Sequence, residues 1–189
     1  MTTRRSSDQT KATILRVARE HFAAHGYERT TIRAVASQAQ IDPSMVMRYF
    51  GSKERLFDAA LTVDLRLPDL SAVPAPDLPA ALVRHFVERW EGDPADDALL
   101  VLLRSAVTNE RAAQRMRETF ATQVAPALTA ALGPTRAPRT AALIATQLLG
   151  LALTRYLLRL PEVAAMPPEA LIQALAPGVG AVLGGGSTP

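Results

Sequence analysis

Cysteine is absent from the 189 residues of this chain. That excludes disulfide frameworks, thiolate nucleophiles and thiolate metal sites together, and it makes a reducing cytoplasm the default setting. Aromatic residues are sparse at 5%, with a single Trp. No Gly-rich phosphate loop or nucleophile elbow is present, because the only glycine run, GGGS at 184–187, follows no strand and reads as a flexible tail. The longest uncharged apolar segment lies between Arg139 and Arg155 and is interrupted by Thr146 and Gln147. It falls short of the roughly 20 residues that a membrane span requires. The opening MTTRRSSDQTK is basic and polar with no apolar stretch behind it, so no secretory signal is expected. These absences point to a soluble, cytoplasmic protein without a membrane partner.

Charge is present but unevenly placed. Residues 1–60 hold ten Lys and Arg against six Asp and Glu, whereas residues 61–189 hold eleven against twelve. A basic first third beside a near-neutral remainder suggests a polyanionic partner for one part only. His21 and His25 stand four apart, a spacing that sets two imidazoles on one helical face as metal ligands would be. No acidic ligand accompanies them at a recognisable spacing, so an enzyme or metal reading has little support.

The apolar residues recur every three or four positions and nowhere alternate over a sustained stretch, which predicts an all-α chain. A first helix runs from Ser6, with Gln9 at capping-box spacing, to a stop at Gly26. A second starts at Thr30 or Thr31, a third at Asp42-Pro43, and a fourth at Ser52, continuing to Leu65. Residues 66–79 contain four prolines and cannot prolong a helix. A domain boundary falls there, giving residues 1–62 and 63–189 as the two parts. Beyond it, helical patterns cover about 79–91, 95–107, 109–131, 138–160 and 167–183, with Pro126 kinking or ending the third.

Within "TTIRAVASQAQIDPSMVMRYFGSKERLF" (30–57), two short helices meet at a turn near Gln40. A helix-turn-helix requires small or apolar residues where its helices touch. Val35, Ala36, Ala39, Ile41, Val46 and Tyr49 occupy all six such places. Two amphipathic helices inside a core would show a similar spacing, so the spacing alone leaves both readings open.

The wider stretch, a long capped helix followed by this pair and then "YFGSKERLF", resembles the amino-terminal domain of tetracycline-repressor (TetR) family transcriptional regulators. "VLLRSAVTNERAAQRMRETF" and "LLGLALTRYLLRLPEVAAMPPEALIQALAP" are similar to a ligand-binding and dimerisation domain of that family. The resemblance implies an N-terminal three-helix, helix-turn-helix DNA-binding domain followed by a helical regulatory domain. It further implies a repressor that binds double-stranded DNA at a palindromic operator as a homodimer joined through its last two helices, and that is released by a small-molecule, hydrophobic effector. Carried over by position, Thr31 meets phosphate and Arg33 a base edge. Pro43, Ser44 and Met47 face bases, Tyr49 and Lys53 contact phosphate, and Arg48 does either. Two departures stand out: Gln40 occupies the turn position usually held by Gly, and Met47 a place commonly held by Tyr. Arg4, Arg5 and Lys11 form a basic arm that either reaches DNA or is a solvated tail.

Leu143, Leu148, Leu151, Tyr156 and Leu157, with Leu171, Leu175 and Val179, offer two apolar faces, one for a core and one for a partner. Phe86, Trp90, Leu99, Leu103, Met116 and Phe120 form a central group of large side chains. By resemblance Phe86, Trp90, Leu103, Met116 and Phe120 line the effector site, although packed core reads the same way. His85, Arg89, Arg104, Asn109 and Gln123 are its candidate polar partners. A rival reading is a helical small-molecule-binding or interaction module that does not bind DNA; it explains the carboxy-terminal helices but not the charge asymmetry.

Overall fold

The computed structural model describes residues 2–92 and 98–185, with side chains from Ser7 onward. Every regular element in them is helical: α1 (Thr2–Arg29), α2 (Ile32–Ala39), α3 (Pro43–Phe50), α4 (Lys53–Ala60), α5 (Leu78–Glu91), α6 (Ala98–Ala106), α7 (Glu110–Thr119), α8 (Ala125–Leu132), α9 (Ala137–Ala152), α10 (Pro161–Ala164) and α11 (Pro168–Gly184). The chain divides into two compact units, one of Met1–Val63 with Asp96–Arg117, the other of Asp64–Ala95 with Glu118–Pro189.

In the first unit α1 is the spine, packing against α2, α4 and α6. Its buried stripe, Ile14, Val17, Ala18 and Phe22, repeats at three and four residues. At Gly26 the backbone leaves the helix with φ 73° and ψ 174°, which suits a residue without a Cβ. Thr30 is buried, and its hydroxyl donates to the carbonyls of Gly26 at 2.8 Å and His21 at 3.1 Å. Of the two candidate threonines, Thr31 therefore caps α2, accepting from the Ala34 amide at 3.1 Å. Thr30 pins the end of α1 instead. The basic start of the chain is helical from Thr2, while the side chains of Arg4 and Arg5 lie outside the described residues.

The fourth helix stops at Ala60 rather than Leu65, for a reason remote in sequence. Arg19 Nε donates to the Ala60 carbonyl at 2.9 Å, and Arg115 Nη2 donates to the Thr62 hydroxyl at 2.9 Å. The Thr62 hydroxyl donates in turn to the Asp58 carbonyl at 2.9 Å. The Asp58 and Ala60 carbonyls of α4 thus bond to side chains, while those of Phe57 and Ala59 accept the Leu61 and Thr62 amides.

The second unit is built on α5 and α11, its most extensively packed pair, with α8 and α9 completing the layer. Its core holds Leu82, Val83, Val87, Leu128, Ile144, Leu151, Leu171 and Val179, so Leu151, Leu171 and Val179 are core residues within this chain. Pro126 does not break its helix: the preceding turn, Phe120–Val124, widens to π form, and the Ala125 amide donates to the Phe120 carbonyl five residues back. Asp93 to Asp97, where the predicted second helix of this region begins, lie outside the described residues. With a second π turn at Leu153–Leu157, α9 makes a 21-residue helical stretch, Ala137–Leu157, longer than the uncharged run alone suggests. Length and composition alone would let it cross a membrane. Its buried residues Ala137, Thr140, Ala141, Ile144, Leu151 and Ala152 form the one-sided stripe of a helix packed within a domain.

Candidate nucleic-acid interface

The turn between α2 and α3 is closed by backbone. The Gln40 amide donates to the Ser37 carbonyl at 3.2 Å and the Ile41 amide to the Ala36 carbonyl at 2.9 Å, the paired bonds of a Schellman exit. Such an exit requires a left-handed residue, and Gln40 supplies it at φ 55°, ψ 42°. A side chain there costs about 1–2 kcal/mol of backbone strain. Gln40→Gly relieves that strain but enlarges the entropy of the unfolded chain by about 0.4–1 kcal/mol. The net expectation is a gain of about 0.5 kcal/mol, seen as a rise of about 2–4 °C in the melting of the first unit by calorimetry. A fall in the melting temperature would contradict the strain at this turn.

Asp42 then caps α3, accepting from the Ser44 amide at 2.8 Å, and Pro43 fills the first turn, where no amide hydrogen is needed. Val35, Ala36 and Val46 are fully buried, and Ala39, Ile41 and Tyr49 half-buried. The six touching positions therefore brace α3 against its neighbours. Its opposite face, Pro43, Ser44, Met47 and Arg48, is exposed. Met47 is 44% accessible, a large apolar side chain held out in water. Thr31 and Arg33 are exposed at the start of α2.

Tyr49 has a mixed environment. Lys11 Nζ and Arg48 Cζ each lie 5.5 Å from its ring centroid. A hydrogen bond from Ser7, with Arg48 and Lys11 adding their charge, holds the phenol below its usual range. Lys11 thus belongs to this edge of the unit as part of α1. Lys53, at the start of α4, donates to the Glu28 carbonyl at 3.2 Å and sits 4.2 Å over the Tyr27 ring, which fixes its ammonium beside the end of α1.

Beneath Lys53, the Tyr27 hydroxyl donates to Glu54 Oε1 at 2.9 Å. Burial, then that bond, pushes the Tyr27 phenol up to about 12, while the amide and Ser52 bonds at the α4 start hold Glu54 at about 2. Because the folded phenol titrates above its ordinary 10, this stabilisation is full below pH 10 and is lost as pH rises towards 12. An alkaline absorbance titration should show Tyr49 ionising first and Tyr27 near pH 12, with Tyr156 also held above its ordinary range by burial and Glu91. Glu54→Gln should move the Tyr27 step down; an unmoved step would remove Glu54 as a cause.

The large apolar side chains expected around an effector are divided between the two compact units. Phe86, Trp90 and Phe120 belong to the second unit, whereas Leu99, Leu103 and Met116 belong to the first. Around Trp90 the structure adds a ring that sequence reading placed among the residues shared between a core face and a partner face. Tyr156 stacks on Trp90 with centroids 4.9 Å apart and planes 7° from parallel, and Phe86 lies 5.6 Å away on the same indole. Glu91 accepts from Arg155 Nε at 2.8 Å and from the Tyr156 hydroxyl at 3.0 Å. Of the polar candidates, His85 and Gln123 bond the Leu65 backbone at 3.0 and 2.8 Å and Arg89 bonds the Asp64 carbonyl at 2.9 Å, so all three secure the chain that follows α4. Asn109 caps α7 through the Ala112 amide at 3.0 Å, and Arg104 is exposed.

Two family profiles match the chain. The one described as bacterial regulatory proteins, tetR family, covers residues 14–60; the one described as Tetracyclin repressor-like, C-terminal domain, covers 77–183. The chain belongs to the TetR family. Residues 14–60 are accordingly the helix-turn-helix portion of a TetR-family chain. Over 97 residues it is 35% identical to the HTH-type transcriptional repressor Rv3405c of Mycobacterium tuberculosis, covering 45% of this chain and 52% of that protein. The chain thus spans about half the length of the curated relatives it matches. Among solved structures, a TetR-family regulator from Streptomyces coelicolor A3 is 28% identical with a TM-score of 0.67, covering 93% of this chain and 95% of that one. A transcriptional regulator from Rhodococcus sp. Rha1 is 26% identical with a TM-score of 0.64, covering 95% and 98%.

Proposed function

We propose that this TetR-family chain is a cytoplasmic repressor that reads a palindromic operator as a homodimer and releases it when a small hydrophobic effector binds. The observation that carries the reading is the outer face of α3. Pro43, Ser44, Met47 and Arg48 are exposed on a helix whose inner side is fully occupied, so they are free to meet base edges in a major groove. Thr31, Tyr49 and Lys53 contact phosphate on either side, Arg33 reaches a base edge, and Arg48 serves whichever is nearer. Residues 1–62 act as the reading domain and 63–189 as the regulatory one.

One reading helix supplies too little base contact for specificity, so two copies pair across a two-fold axis. The outward sides of α9 and α11 serve that contact. Leu143 is 46% exposed and recurs with Thr146 and Gly150 along one face of α9, continued by Leu153 in the π turn that follows, opposite the stripe buried in this chain. The effector is assigned to Phe86, Trp90, Leu103, Met116 and Phe120. Its binding lowers operator affinity by its differential affinity for the two conformations and no more.

Selection of duplexes from a random pool, with and without candidate hydrophobic effectors, tests the whole reading. The expected product is an inverted repeat with half-sites about one helical turn apart, bound by two copies of the chain. Failure to retain any duplex at low ionic strength would defeat it.

A further inference from the structure

The C-terminal end of α4 is held by three arginines, two of them from far along the chain. Arg111 on α7 makes a two-pronged bond to Asp58, Nε to Oδ1 at 2.7 Å and Nη2 to Oδ2. Arg115, one turn on, reaches the Thr62 hydroxyl and, at 3.5 Å, the Asp58 carbonyl. Arg19 of α1 takes the Ala60 carbonyl. Asp58 and Thr62 belong to the end of the reading head as sequence defines it. Arg111 and Arg115 lie beyond the profile that covers residues 14–60, yet fall in the same compact unit as α1–α4.

α4 is eight residues long, too short to hold an orientation by itself. Its N-terminal end is joined to α3 through only Gly51 and Ser52, and the two helices pack together. Whatever sets the pitch of α4 therefore sets the pitch of α3. Packing of α1 against α4 supplies part of that constraint. The remainder comes from cations placed on the negative end of the α4 dipole, in the forked geometry that only guanidinium provides.

We propose that Arg111 and Arg115 are positioning residues for operator reading: they fix α4, and through it the angle at which α3 enters the groove. This rests on the DNA-reading function proposed above and extends the reading head to a helix outside the helix-turn-helix. Arg111 is 46% exposed and Asp58 29%, so the pair is a minor contributor to global stability. Its effect is orientational, and a complex with two reading heads experiences it twice.

The test uses the full chain and the duplex that wild-type protein selects from a random pool, with a scrambled duplex of equal length beside it. Arg111→Met should weaken binding to the selected duplex by about threefold per head, and so about tenfold for the pair. Affinity for the scrambled duplex and the salt slope should remain as in wild type. Melting should shift by no more than about 2 °C. Exchanging the charges, Asp58→Arg with Arg111→Asp, should recover most of the lost preference, whereas Arg111→Lys, which keeps the charge without the fork, should recover only part. Unchanged preference in Arg111→Met, an equal loss on both duplexes, or no recovery in the exchanged pair would each overturn the assignment. A wild-type chain that binds no duplex would instead overturn the function on which it rests.

Discussion

Lys53→Ala is expected to weaken binding to every duplex alike, by about tenfold at low ionic strength, and to flatten the salt dependence by about one released ion per head. The ammonium stands at the positive end of α4, tethered at the Glu28 carbonyl and resting on the Tyr27 ring, so it is positioned before DNA arrives. A phosphate contact of this kind carries no base information. Arg33→Ala and Ser44→Ala should behave differently. Each removes a base-edge contact worth about 1–3 kcal/mol at one position of each half-site, so preference among sequences changes while the salt slope stays nearly as it was. Anisotropy titrations of the three variants across ionic strength, on selected and scrambled duplexes, separate the two behaviours. If all three variants gave the same profile, the division of this face into phosphate and base contacts would be wrong.

Phe57→Ala carries the largest expected loss of stability, about 3–5 kcal/mol. The side chain is 1% exposed, with Phe22 at 4.8 Å and Tyr27 at 4.9 Å meeting it edge-on, and it ties α4 to α1 at the centre of the first unit. Little nearby can collapse into the space, because Leu56, Ala60 and Leu61 are already fully buried. Hydrogen exchange should show amides of α2, α3 and α4 losing protection together. Those in the core of the second unit, around Ile144 and Leu171, should retain theirs. An equal loss in both units would mean that they unfold as one body.

How much of this was legible in the sequence follows from where each signal lies. Thr31, Asp42 and Ser52 mark the starts of α2, α3 and α4 because a cap is a local event, completed within three residues. The left-handed turn at Gln40 is local in the same sense. The end of α4 was misplaced because Arg19 and Arg115 settle it, 41 and 53 residues away from the groups they bond. No periodicity carries that information. The exposed face of α3 was readable from spacing, since a braced helix has only one side left for solvent. The regulatory region was harder to read: large side chains on successive helices gave no sign that Leu103 and Met116 belong to one unit and Phe86, Trp90 and Phe120 to the other. Tyr156 was missed as their neighbour because a π turn carries it, shifting its direction away from that of a regular helix.

The closed turn between α2 and α3 separates two tasks. Folding at this corner is carried by Ala36, Ile41, Asp42 and Val46, whereas the side chains proposed to meet bases, Ser44 and Met47 among them, lie on the solvent side of α3. Substitution there changes what is recognised with little effect on whether the corner forms. A lineage can drift to new target promoters, or an engineer can recode a biosensor, by altering a few outward letters without renegotiating the architecture behind them.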